Sequence, residues 1–155
     1  MAGYSGTPLP QKLGIKPGSS ALLRLAPTSF EALLAPVPTG AKLSRAGRGP
    51  FDVIVLFAKN QSALVKELPG AIAKLKPDGG LWVAWPKKTS GMLTDLQEGF
   101  VRTAGLEARL VDNKICAIDE TWSGLRFVYR LRDRAEVASL KRRTLVPARP
   151  SRRRP

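Results

Sequence analysis

The sequence predicts an α/β domain built on a mostly parallel open sheet, with helices on both faces and a closing β-hairpin. Three observations support this prediction. Short apolar segments alternate with helix-start signals along most of the chain. Several of these segments are continuously apolar, which is typical of parallel strands that are buried on both faces. The last two follow one another with only a turn-rich segment between them, so they are predicted to pair as a hairpin.

The strands are predicted from these apolar segments. Phe51–Phe57 is the clearest, because it is uninterrupted and rich in β-branched residues. Ala41–Ser44 is the weakest. The turn-rich segment Asp119–Gly124 separates the two strands of the hairpin. The predicted strands cover residues 21–26, 41–44, 51–57, 81–85, 107–118 and 125–131.

The helices are predicted from their capping signals. Thr28 and Glu31 have the spacing of a capping box, in which the hydroxyl caps the helix and the carboxylate reaches back. Asn60 is a suitable N-cap for a helix in the next connection. Thr94 and Gln97 form a second capping-box pattern, and its helix is expected to end near Gly105.

Composition divides the chain into two parts. Residues 1–131 have enough apolar content for a single domain, whereas the Arg/Pro-rich residues 132–155 are predicted to form a basic, disordered tail. Residues 131–155 contain nine basic and two acidic side chains, which is half of the net charge of +14. Such a tail favours nucleic acid or another anionic surface, although with non-specific affinity only.

Several function classes are excluded by residue type. The sequence has no histidine and one cysteine, Cys116, so it lacks a Ser-His-Asp triad, a Cys-His pair, a zinc ligand set and an internal disulfide. Cys116 lies in an apolar strand and is interpreted as a small hydrophobic residue. No apolar run is long enough for a membrane span, and no signal-peptide pattern opens the sequence. We therefore expect a cytoplasmic protein with no metal site and no membrane partner.

Three stretches resemble class I S-adenosylmethionine-dependent methyltransferases. Leu13–Gly18 is similar to the lead-in to their first strand, Phe51–Val55 to their fourth strand, and Leu75–Val83 to the turn into their fifth. The resemblance implies a Rossmann-like fold, and the closing hairpin agrees with it. The segment between the first and fourth strands is too short for a complete set of elements, so the fold is expected to be truncated.

The sequence departs from that family where its cofactor binds. The resemblance implies a Gly-rich loop after the first strand, where bare backbone approaches the cofactor. Here the segment reads Leu25-Ala26-Pro27-Thr28-Ser29. The acidic residue that would hold the ribose hydroxyls after the second strand is also missing from Lys42-Leu43-Ser44-Arg45. We therefore predict that no cofactor is bound in the standard mode.

A second resemblance covers most of the body of the chain. Trp85-Pro86-Lys87-Lys88 and Asp119-Glu120-Thr121-Trp122-Ser123-Gly124 are its specific pieces, and Tyr4–Leu9 and Leu13–Gly18 extend it. Together they are similar to the bacterial domain-of-unknown-function 3052 family. That family has no established activity, so the resemblance implies an identity and no mechanism.

A binding site is predicted at the carboxyl ends of the parallel strands, where open α/β sheets bind their ligands. Both specific pieces should lie on this rim, together with the ends of the strands at Pro27 and Lys59. The mixture of indole, ammonium, carboxylate and hydroxyl groups suits an anionic ligand with a flat or apolar part. The candidate ligand-binding residues are Trp85, Lys87, Lys88, Asp119, Glu120, Trp122 and Ser123.

Each of these residues also has a structural interpretation. The indoles could cover the end of the sheet, and Lys87 and Lys88 could pair with Asp119 and Glu120 as surface ion pairs. Three functions remain open: a non-catalytic binding or regulatory module with an anionic ligand or protein partner, a cryptic enzyme that uses the same rim, and a nucleic-acid-associated protein that binds through its tail. A non-enzyme is favoured, and the sequence assigns no catalytic residue.

Overall fold

A computed structural model of the chain describes residues 6–145, the last three by their backbone alone. Short 3₁₀ turns at Lys88–Ser90 and Leu131–Asp133 separate some of the main elements. The helices are α1 (Leu9–Leu13), α2 (Phe30–Leu33), α3 (Gln61–Ala73), α4 (Glu98–Glu107) and α5 (Arg134–Leu145). The strands are β1 (Ser20–Arg24), β2 (Lys42–Ser44), β3 (Phe51–Phe57), β4 (Leu75–Pro86), β5 (Leu110–Ala117) and β6 (Trp122–Tyr129).

These strands form one six-stranded sheet with the order β2-β1-β3-β4-β6-β5. The first four are parallel, and β6 is antiparallel to both β4 and β5. It follows that β5 runs in the same direction as β4. The predicted mostly parallel sheet and its closing hairpin are therefore confirmed, and the carboxyl ends of β1, β2, β3, β4 and β5 lie at one edge.

Each face of the sheet carries its own apolar cluster. In β3, Ile54 and Leu56 point to the face covered by α3, α4 and α5, whereas Val55 and Phe57 point to the other face. The second face is covered by α1 and α2, which have only five and four residues, and by adjoining loops. Helices lie on both faces, as predicted, but the second face has the thinner cover.

Helix α5 corrects the prediction that disorder begins at residue 132. It follows β6 after one 3₁₀ turn and places Val137 against the apolar core. Lys141 Nζ donates to the carbonyl oxygens of Ile72 (2.7 Å) and Ala73 (3.2 Å) and lies 5.8 Å from the centre of the Tyr129 ring. The α3 carbonyls and the ring supply partners that composition could not reveal. The remainder of the predicted tail, residues 146–155, lies outside the described residues.

Both predicted capping boxes are wrong, because tertiary contacts recruit their side chains. Helix α2 begins after Ser29, which has a φ of 69°, and Glu31 pairs with Arg45 instead of reaching back. Helix α4 begins at Glu98, three residues later than the second box implies. Asp95, inside that box, accepts a hydrogen bond from the backbone N–H of Gln61 (2.8 Å) at the start of α3. Asn60 caps α3 as predicted.

Asp52 joins three neighbouring strands. Its carboxylate accepts hydrogen bonds from the backbone N–H of Ser20 (2.8 Å) in β1 and from Lys76 Nζ (2.9 Å) in β4. Partial burial acts to raise the pKa of Asp52, but the bonds from Ser20 and Lys76 outweigh it and the pKa is lowered. A carboxyl whose pKa is lowered by folding stabilises the protein above its unfolded pKa, and this contribution is lost as the pH falls through the folded pKa.

Replacing Asp52 with asparagine should reduce the free energy of unfolding at neutral pH by about 0.5–1.5 kcal/mol, the net value of a typical hydrogen bond. The wild type should lose this advantage below about pH 4, the ordinary range of an aspartate. Urea denaturation at neutral and acid pH measures both effects. Asp78→Asn changes an exposed carboxylate in the neighbouring strand β4 and should leave the dependence of stability on pH unaltered. If the unfolding free energies of the wild type and Asp52→Asn depended on pH in the same way, the stabilising role of the Asp52 carboxylate would be wrong.

Candidate functional site

The two specific segments meet at the carboxyl end of β4. Pro86 is opposite Trp122 in the antiparallel pairing of β4 with β6. The backbone N–H of Lys87 then donates to the carbonyl oxygen of Thr121 at 2.8 Å. Segments separated by more than 30 residues therefore share one rim, as the sequence analysis predicted.

The three tryptophans do not line one site. Trp82 is fully buried and its Nε1 donates to the carbonyl oxygen of Leu13 (3.0 Å), so it is a core residue. Trp85 packs in the cluster beneath α3, α4 and α5, whereas Trp122 packs in the cluster on the other face. Side chains alternate between the two faces of a strand, and Trp122 is paired with Pro86 rather than with Trp85. The expected combination of two indoles in one pocket is therefore wrong.

The two carboxylates of the rim also differ from expectation. Asp119 Oδ1 accepts hydrogen bonds from the backbone N–H groups of Thr121 and Trp122, both at 2.8 Å. This pattern holds the hairpin turn and gives Asp119 a structural role. Glu120 is exposed. Within residues 6–142, neither carboxylate lies within ion-pair distance of Lys87 or Lys88, so the surface ion pairs considered from sequence do not form.

Four of the seven predicted site residues line one cavity of about 470 Å³, which we call the rim cavity. They come from the end of β4, the turn that follows it and the start of β6. The beginning of α4 and the two residues before it complete the lining, and one of these, Leu96, is buried. The lining residues are Trp85, Pro86, Lys87, Lys88, Thr89, Leu96, Gln97, Glu98, Gly99 and Ser123.

The charges around the rim cavity favour an anion. Lys87 is partly exposed and Lys88 is exposed, and neither has an ion-pair partner among the described side chains. The one carboxylate in the lining, Glu98, is paired with Arg102 Nη2 at 2.7 Å. The amino-terminal turn of α4 adds the positive end of a helix dipole.

Sequence reasoning missed the contribution of α4. The segment Gln97–Gly99 lines the rim cavity only because the helix begins at Glu98, and the capping-box pattern at Thr94 placed that start too early. Thr94 Oγ1 instead accepts a hydrogen bond from the backbone N–H of Leu96 at 3.0 Å. Asp95 is also engaged elsewhere, because its carboxylate accepts a hydrogen bond from the backbone N–H of Gln61.

A second cluster ties together the loops after β1 and β2, and we call it the Arg45 clasp. Arg45 Nε and Nη2 each donate to a carboxylate oxygen of Glu31 at 2.8 Å. Nη1 and Nη2 also donate to the carbonyl oxygens of Ala26 and Pro27, both at 2.8 Å. The hydrogen bond from Arg45 lowers the pKa of Glu31 to about 2, so this carboxylate is charged at neutral pH.

The Arg45 clasp lies where the methyltransferase resemblance implies the cofactor. That mode requires bare backbone N–H groups after the first strand and a carboxylate after the second. In this chain the loop after β1 directs the carbonyl oxygens of Ala26 and Pro27 to Arg45, and Pro27 has no N–H. The residue after β2 is a cation. These residues do not fit S-adenosylmethionine in the standard mode.

The remaining candidate for chemistry, Cys116, does not line the rim cavity. Cys116 is partly buried, and burial raises the pKa of its thiol, which disfavours the nucleophilic thiolate. Between residues 6 and 145 there is no group of three or more His, Cys, Asp or Glu side chains that could hold a metal ion. In the same part of the chain, no helix is long and apolar enough to cross a membrane.

Solved structures identify the fold. A SAM-dependent methyltransferase from Aquifex aeolicus matches with a TM-score of 0.50 and 12% identity, over 76% of this chain and 85% of that protein. A ribosomal protein L11 methylase from Lactobacillus delbrueckii subsp. bulgaricus matches with a TM-score of 0.48 and 16% identity, over 78% and 74% of the two chains. Magnesium protoporphyrin IX methyltransferase from Synechocystis PCC 6803 matches with a TM-score of 0.42 and 10% identity, over 78% and 74%.

At such low identities these likenesses concern the fold alone. No protein-family model matches the chain, and no curated protein matches it. The resemblance to the domain-of-unknown-function 3052 family therefore stays a prediction. What the comparisons establish is that the chain has a methyltransferase-like α/β fold.

Proposed function

We propose that this protein is a non-catalytic binding module on a degenerate methyltransferase-like fold, and that the rim cavity holds a small anionic ligand with a flat or apolar part. One observation carries the proposal. Lys87 and Lys88, neither of them ion-paired with a described side chain, lie beside Trp85 at a cavity of about 470 Å³. The cavity is at the carboxyl ends of the strands, where this class of fold binds ligands.

The lining suits the two parts of such a ligand differently. The ammonium groups of Lys87 and Lys88 can donate to phosphate or carboxylate oxygens, and Ser123 adds a hydroxyl. Leu96 and Trp85 are largely buried and contribute the apolar part of the lining, which suits a ring or a short hydrocarbon. An ammonium that has no carboxylate partner loses less on binding an anion, because no existing ion pair has to be broken.

The same residues support binding rather than catalysis. The sequence has no histidine, and Asp119, which could have been a carboxylate base, is occupied by the backbone N–H groups of its own turn. The Arg45 clasp supports the loss of the standard cofactor mode. Its four hydrogen bonds of 2.8 Å join Arg45 to Glu31 and to the loop after β1, where the cofactor would bind in that mode.

Replacing both Lys87 and Lys88 with alanine should lower the affinity of the rim cavity for its ligand at least about tenfold, since each lost charge-assisted hydrogen bond contributes about 1.5–3 kcal/mol. The melting temperature should change little, because both side chains reach solvent. The measurement is a thermal-shift screen of the wild type against S-adenosylmethionine, ATP and acetyl phosphate, followed by calorimetric titration of the compound that stabilises it. Lys42→Ala/Lys66→Ala removes the same charge from two exposed positions outside the cavity and serves as the matched control.

Two outcomes would overturn the proposal. If the double variant loses much of its melting temperature while its affinity is unchanged, Lys87 and Lys88 are structural parts of the rim. If S-adenosylmethionine stabilises the wild type strongly, the Arg45 clasp opens for the cofactor and the degenerate interpretation is wrong.

A further inference from the structure

A second cavity, of about 210 Å³, lies at the opposite end of the sheet from the rim cavity. Helix α5, the end of α3 and residues near the amino ends of β3 and β4 line it, and we call it the α5 cavity. Its volume is below the range of about 300–1,000 Å³ that is typical of sites for drug-sized molecules. The α5 cavity therefore suits a single small ligand.

The charges that line the α5 cavity are all positive. The basic residues in the lining are Arg48, Lys141 and Arg142, and among the residues that the structure describes no acidic side chain lines it. Arg48 and Arg142 are exposed, and neither forms an ion pair with a described side chain. An anion therefore meets two guanidinium groups there without breaking an existing ion pair.

Lys141 holds the third positive charge in place. Its Nζ donates to the carbonyl oxygens of Ile72 (2.7 Å) and Ala73 (3.2 Å) at the end of α3. These oxygens form the negative end of a helix dipole, and the ammonium offsets their repulsion of a nearby anion. An ammonium has three N–H donors, so one remains for a ligand. Burial lowers the pKa of Lys141, and an anion beside it would raise that pKa again.

The charge and the polarity of the lining select the class of ligand. A carboxylate carries one negative charge, whereas a phosphate monoester carries about 1.5–2 at neutral pH. Three cations match the phosphate more closely, and a guanidinium binds phosphate oxygens through two parallel hydrogen bonds. The other lining residues are apolar and suit a short organic group: Pro50, Ala73, Pro77 and Ala138.

We propose that the α5 cavity binds a small phosphate monoester, with Arg48, Lys141 and Arg142 around the phosphate and the apolar residues against its organic group. Arg48 precedes β3, whereas the other two cations belong to α5, so the bound phosphate ties this helix to the body of the domain. The inference is independent of the rim ligand, since the two cavities share no residue.

The test is calorimetric titration of the full chain with phenyl phosphate, and with inorganic phosphate and benzoate for comparison. Phenyl phosphate also suits the rim cavity, so the titrated chain carries Lys87→Ala/Lys88→Ala, which removes the cations of that cavity. Phenyl phosphate should bind more tightly than either comparison compound, because inorganic phosphate lacks the apolar group and benzoate carries a single charge.

Adding Arg48→Ala/Arg142→Ala to this chain should lower its affinity for phenyl phosphate at least about tenfold, since charge-assisted hydrogen bonds are lost. Adding Lys42→Ala/Lys66→Ala removes the same charge from two exposed positions outside the cavity and should leave the affinity unchanged. Circular dichroism should show the same folded spectrum for both variants. Amide hydrogen exchange locates the bound compound, because saturating phenyl phosphate should slow exchange in α5.

Several results would overturn the inference. If phenyl phosphate does not bind at millimolar concentration, the α5 cavity is not a site for such a ligand. If benzoate binds as tightly, the phosphate is not recognised. Equal losses on adding either pair of substitutions would mean that the net charge of the protein acts without a defined site. Slower exchange only outside α5 would place the bound compound elsewhere. None of these results decides the function of the rim cavity, whose test depends on Lys87 and Lys88.

Discussion

Replacing Gly105 with alanine is expected to lower the melting temperature by about 6–12 °C, which corresponds to a loss of about 3 kcal/mol in a domain of this size. Gly105 lies in α4 where the helix crosses β6. A Cβ atom at this position would overlap Cε1 of Phe127 and lie 2.5 Å from Cδ1 and Cζ of the same ring. Phe127 is fully buried, so its ring cannot move aside without displacing other core residues. Thermal unfolding followed by circular dichroism measures the effect.

Gly70→Ala is the matched control for Gly105→Ala. Gly70 lies inside α3, and a Cβ atom there would meet no atom within 4 Å. Alanine should therefore stabilise the helix by about 0.5–1 kcal/mol, the difference in helix propensity. If both variants were equally stable, the close approach of α4 to Phe127 would be wrong.

Trp122→Ala is expected to cost about 3–5 kcal/mol of unfolding free energy, the usual range for removing a buried aromatic side chain. The indole is only 5% exposed. It meets the ring of Phe57 edge to face at 5.0 Å, and Phe57 meets Phe30 of α2 at 4.9 Å. These three rings pack together on the thinly covered face of the sheet, so the loss of one leaves a cavity that the short helices α1 and α2 cannot close. Urea denaturation measures the cost.

Trp122→Phe retains an aromatic ring and should recover much of the stability. Neither variant should alter the intrinsic affinity of the rim cavity, because Trp122 faces the other side of the sheet from Trp85. If a Trp122→Ala variant kept the wild-type stability but no longer bound the rim ligand, Trp122 would be part of the binding site, as first predicted. The pair of measurements therefore separates the structural role of Trp122 from the role first predicted for it.

The location of the rim was predictable because it follows from strand direction. Once β4 and β5 are recognised as parallel, Lys87 and Asp119 must come to the same edge of the sheet. The composition of the site was less predictable. Whether Trp85 and Trp122 face one pocket depends on a register difference of one residue between β4 and β6, and alternation then places the two rings on opposite faces.

Polar contacts between residues distant in sequence account for the other incorrect predictions, those of the helix starts and of the tail. Glu31 and Thr94 have convincing local capping patterns, but Arg45 recruits Glu31, and Asp95 binds the start of α3. Similarly, the basic composition after residue 131 indicated a tail, whereas Lys141 finds the last carbonyl oxygens of α3 and secures a helix. In each case a partner distant in sequence outweighed a weak local preference.

The sequence by itself determined the α/β class, the central strands, the rim and the absence of histidine chemistry, because continuous apolar runs, chain direction and residue types are local properties. Only the tertiary structure decided that the predicted site divides between two faces, that Arg45 joins the loops after β1 and β2 in a clasp, and that residues 134–145 form a helix. These features depend on strand register and on partners far apart in the chain, and the contacts contribute to stability only once the sheet has formed.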